Sequence, residues 1–129
     1  MVRPRSVHPT PAELDVLKVI WDRGPSTVRE MMAALKQRPA RAYTSVMSLL
    51  SVMADKRLLK RTPRGRAFVY SARVQRHDAL GGMVGDLLRR AFDGSASALV
   101  VQLLEGADVT AEELDEIART IAAHKRRGE

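Results

Sequence analysis

The chain has no cysteine among its 129 residues, and only 4% of the residues are aromatic. Without cysteine there is no disulfide, no thiolate metal site and no cysteine nucleophile, as expected in a reducing compartment. Aliphatic side chains and methionine must therefore fill the interior. No apolar run approaches the roughly 18 residues of a transmembrane helix, and residues 1–11 lack the apolar region of a signal peptide. We expect a cytoplasmic protein without membrane insertion.

The residue clusters that catalysis or metal binding requires are also missing from the sequence. His8, His77 and His124 are far apart, and none has a partner at the spacing of a zinc site. The acidic residues at 112–116 follow one another around a predicted helix, as on a solvated surface. The glycine-rich stretch at 81–85 lacks the lysine of a phosphate-binding loop. The sequence therefore predicts no enzyme, no metal site and no cofactor.

Positive charge is concentrated in the first part of the chain. Residues 1–73 hold 15 Lys plus Arg and five Asp plus Glu, a balance of +10, whereas residues 74–129 hold seven and ten, a balance of −3. A cationic surface attracts nucleic acid, anionic lipid or an acidic protein. Binding to lipid would need a basic amphipathic helix with large exposed apolar groups, but the arginines here lie largely in predicted turns and loops. Nucleic acid is the favoured partner.

Helix caps divide this basic part into three helices. A cap, a proline and a capping-box glutamate at 10–13 start the first helix, which Gly24-Pro25 ends. A second capping box at 27–30 starts a helix that Pro39 ends, and the third helix begins near Ala42. The apolar stripe of the third helix must face the first two helices, and it consists of Val46, Leu49, Leu50 and Met53.

A β-hairpin follows the three helices. Residues 58–61 are short and β-like, residues 62–65 predict a turn, and residues 66–70 alternate as a second strand. Three helices and a hairpin form a winged helix-turn-helix, in which the third helix enters the major groove beside the hairpin, or wing. The predicted fold class is mostly α with a small β-hairpin. A winged-helix DNA-binding domain at 9–73 would precede a helical dimerisation domain at 74–127.

The third helix has no charged side chain from Ala42 to Met53, although the whole chain has a net charge of +7. Short hydroxyl side chains opposite the apolar stripe would let this helix approach base edges closely, and these are Thr44, Ser45, Ser48 and Ser51. Cations around the helix would neutralise phosphates, and these are Arg41, Lys56, Arg57, Lys60, Arg61, Arg64 and Arg66. Hydroxyls and basic loops are each common on solvated surfaces, so their joint placement carries the prediction.

Residues 74–129 predict three amphipathic helices of about 18, 10 and 16 residues, each with one apolar stripe. The stripes consist of Leu80, Met83, Val84, Leu87, Leu88 and Phe92, of Leu99, Val100, Leu103 and Leu104, and of Leu114, Ile117 and Ile121. Such short helices do not bury three stripes well alone, so we expect a homodimer. The alternative is a self-contained helical cap on the winged-helix domain. Gly81, Gly82 and Gly85 interrupt the first helix, either as a hinge or as places of close packing.

Four segments of the chain occur in a distinctive order: ELDVLKVIWDRGPSTVREMMAAL, AYTSVMSLLSVMADKRLL, RGRAFVYSARV and DGSASALVVQLLEGADVTAEELDEI. Their order and spacing, from about Pro9 to His124, resemble the BlaI/MecI penicillinase-repressor family of bacterial transcriptional regulators. The resemblance implies a dimeric winged-helix repressor that binds an inverted-repeat operator in double-stranded DNA through its N-terminal domain and dimerises through its C-terminal helices. It also implies control of resistance genes and of its own operon, relieved in many members by a membrane sensor protease that cleaves the repressor.

The chain departs from the family pattern at several positions. Val52 and Arg57 stand where members often have Arg late in the recognition helix and Gly at its end, so the resemblance does not extend to the operator preference. Gln102-Leu103 stands at the segment matching the Asn-Phe bond that is cleaved in the best-known repressors, so relief by proteolysis is expected to differ or to be absent. Copper-responsive relatives use paired cysteines, which this chain lacks.

Two other classes of function are open from the sequence. A winged-helix regulator of another family would sense a ligand or a metal, although the missing cysteines and scattered histidines disfavour metal. A protein-interaction module would use the winged fold without DNA. Binding to DNA that weakens steeply with salt, yet discriminates an operator from random duplex, separates the repressor from the interaction module.

Overall fold

Three helices, a hairpin and three further helices follow one another in the computed structural model, which describes residues 8–35 and 42–128. The elements are α1 (Pro11–Arg23), α2 (Val28–Ala34), α3 (Tyr43–Asp55), β1 (Leu59–Arg64), β2 (Ala67–Ala72), α4 (Arg76–Phe92), α5 (Ala96–Gly106) and α6 (Ala111–Gly128). This architecture confirms the predicted fold class. The helix α2 ends at Ala34, and the predicted stop at Pro39 lies outside the described residues.

Capping boxes start α1 and α2 as the sequence predicts. The backbone N–H of Glu13 donates to Thr10 Oγ1 at 3.2 Å, and the backbone N–H of Thr10 donates to Glu13 Oε1 at 3.0 Å. Thr27 and Glu30 repeat this exchange at 3.2 and 2.9 Å. Each box satisfies N–H groups that the first turn of a helix cannot pair, and loss of such a cap costs about 1 kcal/mol.

The core of the winged-helix part is aliphatic, as the scarcity of aromatic residues requires. Val46, Leu50 and Met53 of α3 are buried against α1 and α2, and Leu49 packs beside them, so the predicted inner stripe is confirmed. The other buried apolar side chains among the described residues are Val16, Leu17, Ile20, Val28, Met31, Leu58, Leu59 and Tyr70. Burial of these groups is the main stabilising contribution to this part of the chain.

A charged side chain is buried beside this core. Glu13 is only 3% exposed, and both of its carboxylate oxygens accept hydrogen bonds from Lys56 Nζ, at 3.0 and 2.8 Å. Burial alone would raise the pKa of Glu13, but the hydrogen bond from Lys56, the N–H of Thr10 and the charge of Lys56 together lower that pKa below its usual value. The ion pair therefore joins the start of α1 to the residue that follows α3.

The wing differs in its turn from the sequence prediction. The strands β1 and β2 pair antiparallel from Leu59↔Ala72 to Arg64↔Ala67, so the turn is Gly65-Arg66 and not residues 62–65. Gly65 has a φ of +61°, which glycine adopts at the start of a two-residue turn without steric cost. Counting pairs from this turn places Pro63 opposite Phe68 in a non-hydrogen-bonded pair, where the missing N–H of proline loses no ladder bond.

Tyr70 joins the wing to the helices. By the same count, the backbone N–H and carbonyl of Tyr70 point away from β1. The N–H of Tyr70 donates to the carbonyl of Ser26 at 2.8 Å, and the N–H of Ser26 donates to the carbonyl of Tyr70 at 3.0 Å. Ser26 is buried, and its hydroxyl donates to the carbonyl of Gly24 at 3.0 Å. The segment between α1 and α2 thus acts as a third, single-residue strand that fixes the base of the wing.

The start of α4 is fastened to α1. The indole N–H of Trp21 donates to the carbonyl of Val74 at 3.0 Å. The guanidinium of Arg76 lies 5.5 Å from the centre of the Trp21 ring and forms an ion pair with Asp22. A cation over an indole face is favourable even at the surface. The first turn of α4 therefore belongs to the winged-helix part of the chain.

The chain divides into two units within α4, between Val84 and Gly85. Among the described residues, a Cβ atom at Gly81 would meet nothing within 4 Å, and one at Gly82 would meet only His8, at an ordinary contact distance of 3.6 Å. Packing within one chain therefore does not require glycine at these two positions, and the hinge and the close-packing interpretations both stay predictions. In the second unit, Ser95 and Thr110 cap α5 and α6 through their hydroxyls. Among the described residues, no helix combines the length and apolarity that crossing a membrane requires.

We predict that Glu13→Gln destabilises the protein near neutral pH by about 1–2 kcal/mol, because Lys56 loses its counter-charge while the cap oxygen is kept. The lowered pKa of Glu13 means that its ionised form adds stability above about pH 4.5, and that this stability is lost as pH falls through the folded-state pKa. Denaturant unfolding over a pH series measures both effects.

Glu30→Gln is the matched control, since Glu30 makes the same cap but lies at the surface without a lysine partner. Its loss of stability near neutral pH is expected to be smaller. Equal losses in the two variants would show that the Glu13–Lys56 pair contributes nothing beyond the cap.

Candidate nucleic-acid interface and an exposed apolar surface

The outward face of α3 carries the hydroxyl groups that the sequence singled out. Thr44, Ser45 and Ser48 are exposed and Ser51 is half-buried. They lie away from the buried stripe because successive residues of a helix turn by 100°. Asp55 is the one charged residue of α3 and ends the helix. The structure therefore gives α3 a polar, largely uncharged outer surface.

The cations of the wing lie on both faces of the hairpin and at its tip. Lys60, Arg61 and Arg64 alternate along β1, so Lys60 and Arg64 share one face and Arg61 takes the other. Arg66 occupies the turn, and all four side chains are exposed. Arg41, the predicted cation before α3, lies outside the described residues. The wing thus presents four positive charges that are accessible to phosphate groups.

The two predicted cations after α3 have different surroundings. The ammonium group of Lys56 is held by the Glu13 carboxylate, which compensates its charge. Arg57 is exposed and has a φ of +66°, in the left-handed region that glycine favours. Glycine would adopt this conformation freely, whereas Arg57 adopts it at a steric cost.

A cleft of about 330 Å³ lies between α3, the start of α2 and the wing, and we call it the wing cleft. Its lining includes Thr27 and Arg29 of the α2 start, Tyr43 and Met47 of α3, and Arg66 and Phe68 of the wing. The guanidinium of Arg29 lies 5.1 Å from the centre of the Tyr43 ring, and that of Arg61 lies 5.0 Å from the centre of the Phe68 ring. The cleft therefore combines apolar surface with cations.

Sequence reasoning missed four of these side chains: Arg29, Tyr43, Met47 and Phe68. Arg29 and Tyr43 belong to different helices, and Phe68 belongs to the wing, so no local spacing relates them. The one available signal was Met47, a large apolar side chain among the hydroxyls of α3.

Glu30 adds a negative charge near this surface. The hydrogen bond from the backbone N–H of Thr27 lowers the pKa of Glu30, and the positive charges of Arg64 and Arg23 lower it further. The carboxylate is therefore ionised at neutral pH and offsets part of the field of the wing cations. In the described residues, no three His, Asp or Glu side chains are grouped so as to hold a metal ion.

Apolar side chains are also exposed on α4, α5 and α6. Of the residues predicted for dimerisation, eight are exposed: Leu80, Val84, Leu87, Val100, Leu103, Leu104, Leu114 and Ile121. The others, Met83, Leu88, Phe92, Leu99 and Ile117, are half-buried. No residue described in these three helices is buried. Large apolar side chains exposed in such number typically mark interaction sites.

Three helices in this order, with a polar outer face on the third and a cationic hairpin beside it, define a winged helix-turn-helix protein. The chain belongs to the penicillinase repressor family, whose sequence pattern matches residues 9–123. The members of this family are transcriptional repressors, so the family resemblance inferred from the sequence is confirmed.

Known proteins of the family cover most of the chain. The penicillinase repressor of Bacillus licheniformis is 27% identical over 116 residues, which are 90% of this chain and 91% of that protein. The transcriptional regulator BlaI of Mycobacterium tuberculosis is 36% identical over 112 residues, which are 85% of this chain and 80% of that protein.

Two solved structures are also similar. The CopR repressor structure is 31% identical with a TM-score of 0.45, covering 55% of this chain and 100% of that chain. The transcriptional regulator Tm0710 from Thermotoga maritima is 21% identical with a TM-score of 0.47, covering 92% of this chain and 77% of that chain.

Replacing Arg57 with glycine should change stability and DNA affinity in opposite directions. We predict that Arg57→Gly stabilises the protein by about 0.5–1 kcal/mol, because glycine adopts the left-handed φ without strain. DNA affinity should fall, because a cation beside α3 is lost. Thermal unfolding and fluorescence anisotropy with labelled duplex measure the two effects.

Arg57→Ala separates these contributions, since it removes the same charge and leaves a Cβ atom in the strained conformation. It should lose as much affinity as Arg57→Gly and gain no stability. A stabilised Arg57→Gly with unchanged affinity would exclude Arg57 from the DNA contacts.

Proposed function

We propose that this protein is a dimeric, sequence-specific DNA-binding repressor of the BlaI/MecI type that binds an inverted-repeat operator. Residues 9–73 would bind DNA, and residues 74–127 would form the dimer. The observation that carries the proposal is the uncharged hydroxyl surface of α3 beside the four exposed cations of the wing.

The outer face of α3 suits insertion into the major groove. Short side chains at Thr44, Ser45, Ser48 and Ser51 allow a helix axis to approach the base edges, and each hydroxyl can donate or accept a hydrogen bond there. Hydroxyls discriminate weakly as single groups, so sequence preference would arise from several contacts together. The absence of positive charge on this face until the end of the helix leaves affinity to the flanking residues.

Phosphate contacts would come chiefly from the wing and from Arg57. Lys60, Arg61, Arg64 and Arg66 are exposed on a hairpin whose base is fixed by Ser26 and Tyr70. Such contacts supply most of the sequence-independent affinity and position the recognition helix. Lys56 would contribute less, because its charge is already compensated by Glu13.

The apolar surface of the second unit supports a homodimer. In a lone chain, the exposed leucine and valine side chains of α5 stay in contact with water. A partner that covers them would contribute a stabilising free energy of about 25 cal/mol for each Å² of apolar area removed from water. A stable dimer interface typically buries about 1,600 Å² in total. Two-fold symmetry would place the two recognition helices one turn of DNA apart, which is about 34 Å, or a whole number of turns apart. An inverted repeat has the same two-fold symmetry.

Relief by a membrane sensor protease, which the family resemblance implies for many members, would differ here or be absent, because Gln102-Leu103 stands at the segment that matches the cleaved bond. The bond Gln102-Leu103 lies within α5, and both side chains are exposed. A protease binds its substrate in an extended conformation, so cleavage there would require α5 to unwind locally. Unwinding would disrupt the apolar surface that the dimer uses, and cleavage would thus weaken operator binding.

The contribution of the wing can be tested with the double variant Arg64→Ala, Arg66→Ala. We predict weaker binding to every duplex and a less steep salt dependence, with the slope of log K against log salt smaller by about two for each protomer. Arg119→Ala on α6 is the control, since it removes a positive charge outside the proposed interface. An unchanged slope in the double variant would exclude the wing from the DNA complex.

The dimer can be tested with Leu103→Glu. A charge in the proposed interface should convert the dimer to a monomer in sedimentation velocity and reduce operator affinity, with helix content retained by circular dichroism. Gln102→Glu adds the same charge at the neighbouring position and should stay dimeric. A wild-type protein that sediments as a monomer while it occupies its operator would contradict the proposed assembly.

A further inference from the structure

We propose that Met47 is a specificity-determining residue that contacts the C5-methyl group of a thymine when α3 lies in the major groove. The inference rests on the proposed function and adds a base identity to it. The ligand is the major-groove edge of a T·A pair, and the binding surface is the part of the wing cleft that α3 forms.

Met47 is one of three large apolar side chains of α3 that are exposed, with Tyr43 and Val52. The side chain of Met47 is 43% exposed, whereas Val46, Leu50 and Met53 of the same helix are at most 1% exposed. Met47 follows Tyr43 by one helical turn and directly precedes Ser48, so it borders the hydroxyl face. A large apolar side chain that is this exposed is available to a ligand of α3.

Tyr43 and Phe68 extend this apolar surface across the wing cleft. They are 39% and 44% exposed and line the same cleft as Met47. Cations surround them, because Arg29 lies over Tyr43, Arg61 lies over Phe68 and Arg66 lines the cleft. Apolar side chains surrounded by guanidinium groups are complementary to a major groove in which the methyl group of a thymine lies between phosphates.

The chemistry of the major groove identifies the base. The C5-methyl of thymine is the apolar group among the four base edges, while the other groups are hydrogen-bond donors or acceptors. Methionine cannot donate a hydrogen bond and accepts only weakly, so it reads a methyl group and not a polar edge. Its flexible thioether adapts to a contact of this size. Burial of one methyl group corresponds to about fourfold in affinity.

Replacement of thymine by deoxyuridine tests the contact, because it removes the methyl group and keeps every hydrogen-bonding group. The probe is the duplex protected by the protein in footprinting of the DNA that flanks its own gene. Each thymine of a half-site is replaced singly, and affinity is measured by anisotropy. We expect about a fourfold loss at one or two thymines for the wild type. Met47→Ala should bind the thymine and deoxyuridine duplexes equally at those positions.

Ser48→Ala is the matched control, since it removes a polar group at the next position of α3. It should change the overall affinity and keep the difference between thymine and deoxyuridine. Thermal unfolding confirms that the variants are folded, as expected for exposed side chains. Operator preference without any sensitivity to deoxyuridine, or a sensitivity that Met47→Ala retains, overturns this inference alone. A protein that prefers no duplex over random sequence overturns the proposed function as well.

Discussion

The burial of Val46, Leu50 and Met53 against α1 and α2 fixes the rotation of α3 about its axis, and the rest of the binding surface depends on that rotation. Because side chains of a helix are set 100° apart, the buried stripe leaves no choice of which residues face outward. Thr44 and Ser48 are turned to solvent, and Met47 is turned toward the wing. A rotation of α3 by one residue would bury a hydroxyl group and expose leucine to water. The aliphatic core thus determines which chemical groups α3 presents on its outer face.

The cations around α3 differ in the groups that surround them, and these surroundings decide how much of each charge is accessible. Lys56 is committed to the buried carboxylate of Glu13, and Arg64 shares the field of the ionised Glu30. Arg29 and Arg61 lie over aromatic rings, which orients the guanidinium groups while their charge stays accessible. The balance of +10 over residues 1–73 therefore overstates the positive charge that DNA would meet. Fixed positions matter more than the total, because a phosphate contact that is already oriented loses less conformational entropy on binding.

Local signals made much of the fold predictable from sequence. The boxes at Thr10 and Thr27 and the stripe of α3 depend on residues three or four positions apart, and the structure confirms them. The turn of the wing was misplaced because Pro63 indicates a turn from sequence, whereas Gly65 supplies the positive φ and Pro63 lies within β1. The wing cleft could not be predicted from local spacing, since α2, α3 and β2 each supply part of its lining. The assignment of Arg57 and the hydroxyls to DNA stays a prediction.

The two units of the chain differ in how far they bury their apolar side chains. In the proposed dimer, this difference would link assembly to regulation. The winged-helix unit buries its aliphatic side chains by itself, whereas no residue described on α5 or α6 is buried. The helices α5 and α6 therefore gain stability from whatever covers their apolar surface, and in the proposed dimer that stability depends on protein concentration. Operator DNA would add to it, because two half-sites hold two chains close together. Breaking α5 would remove this linkage and leave each winged-helix unit folded but bound through one half-site alone.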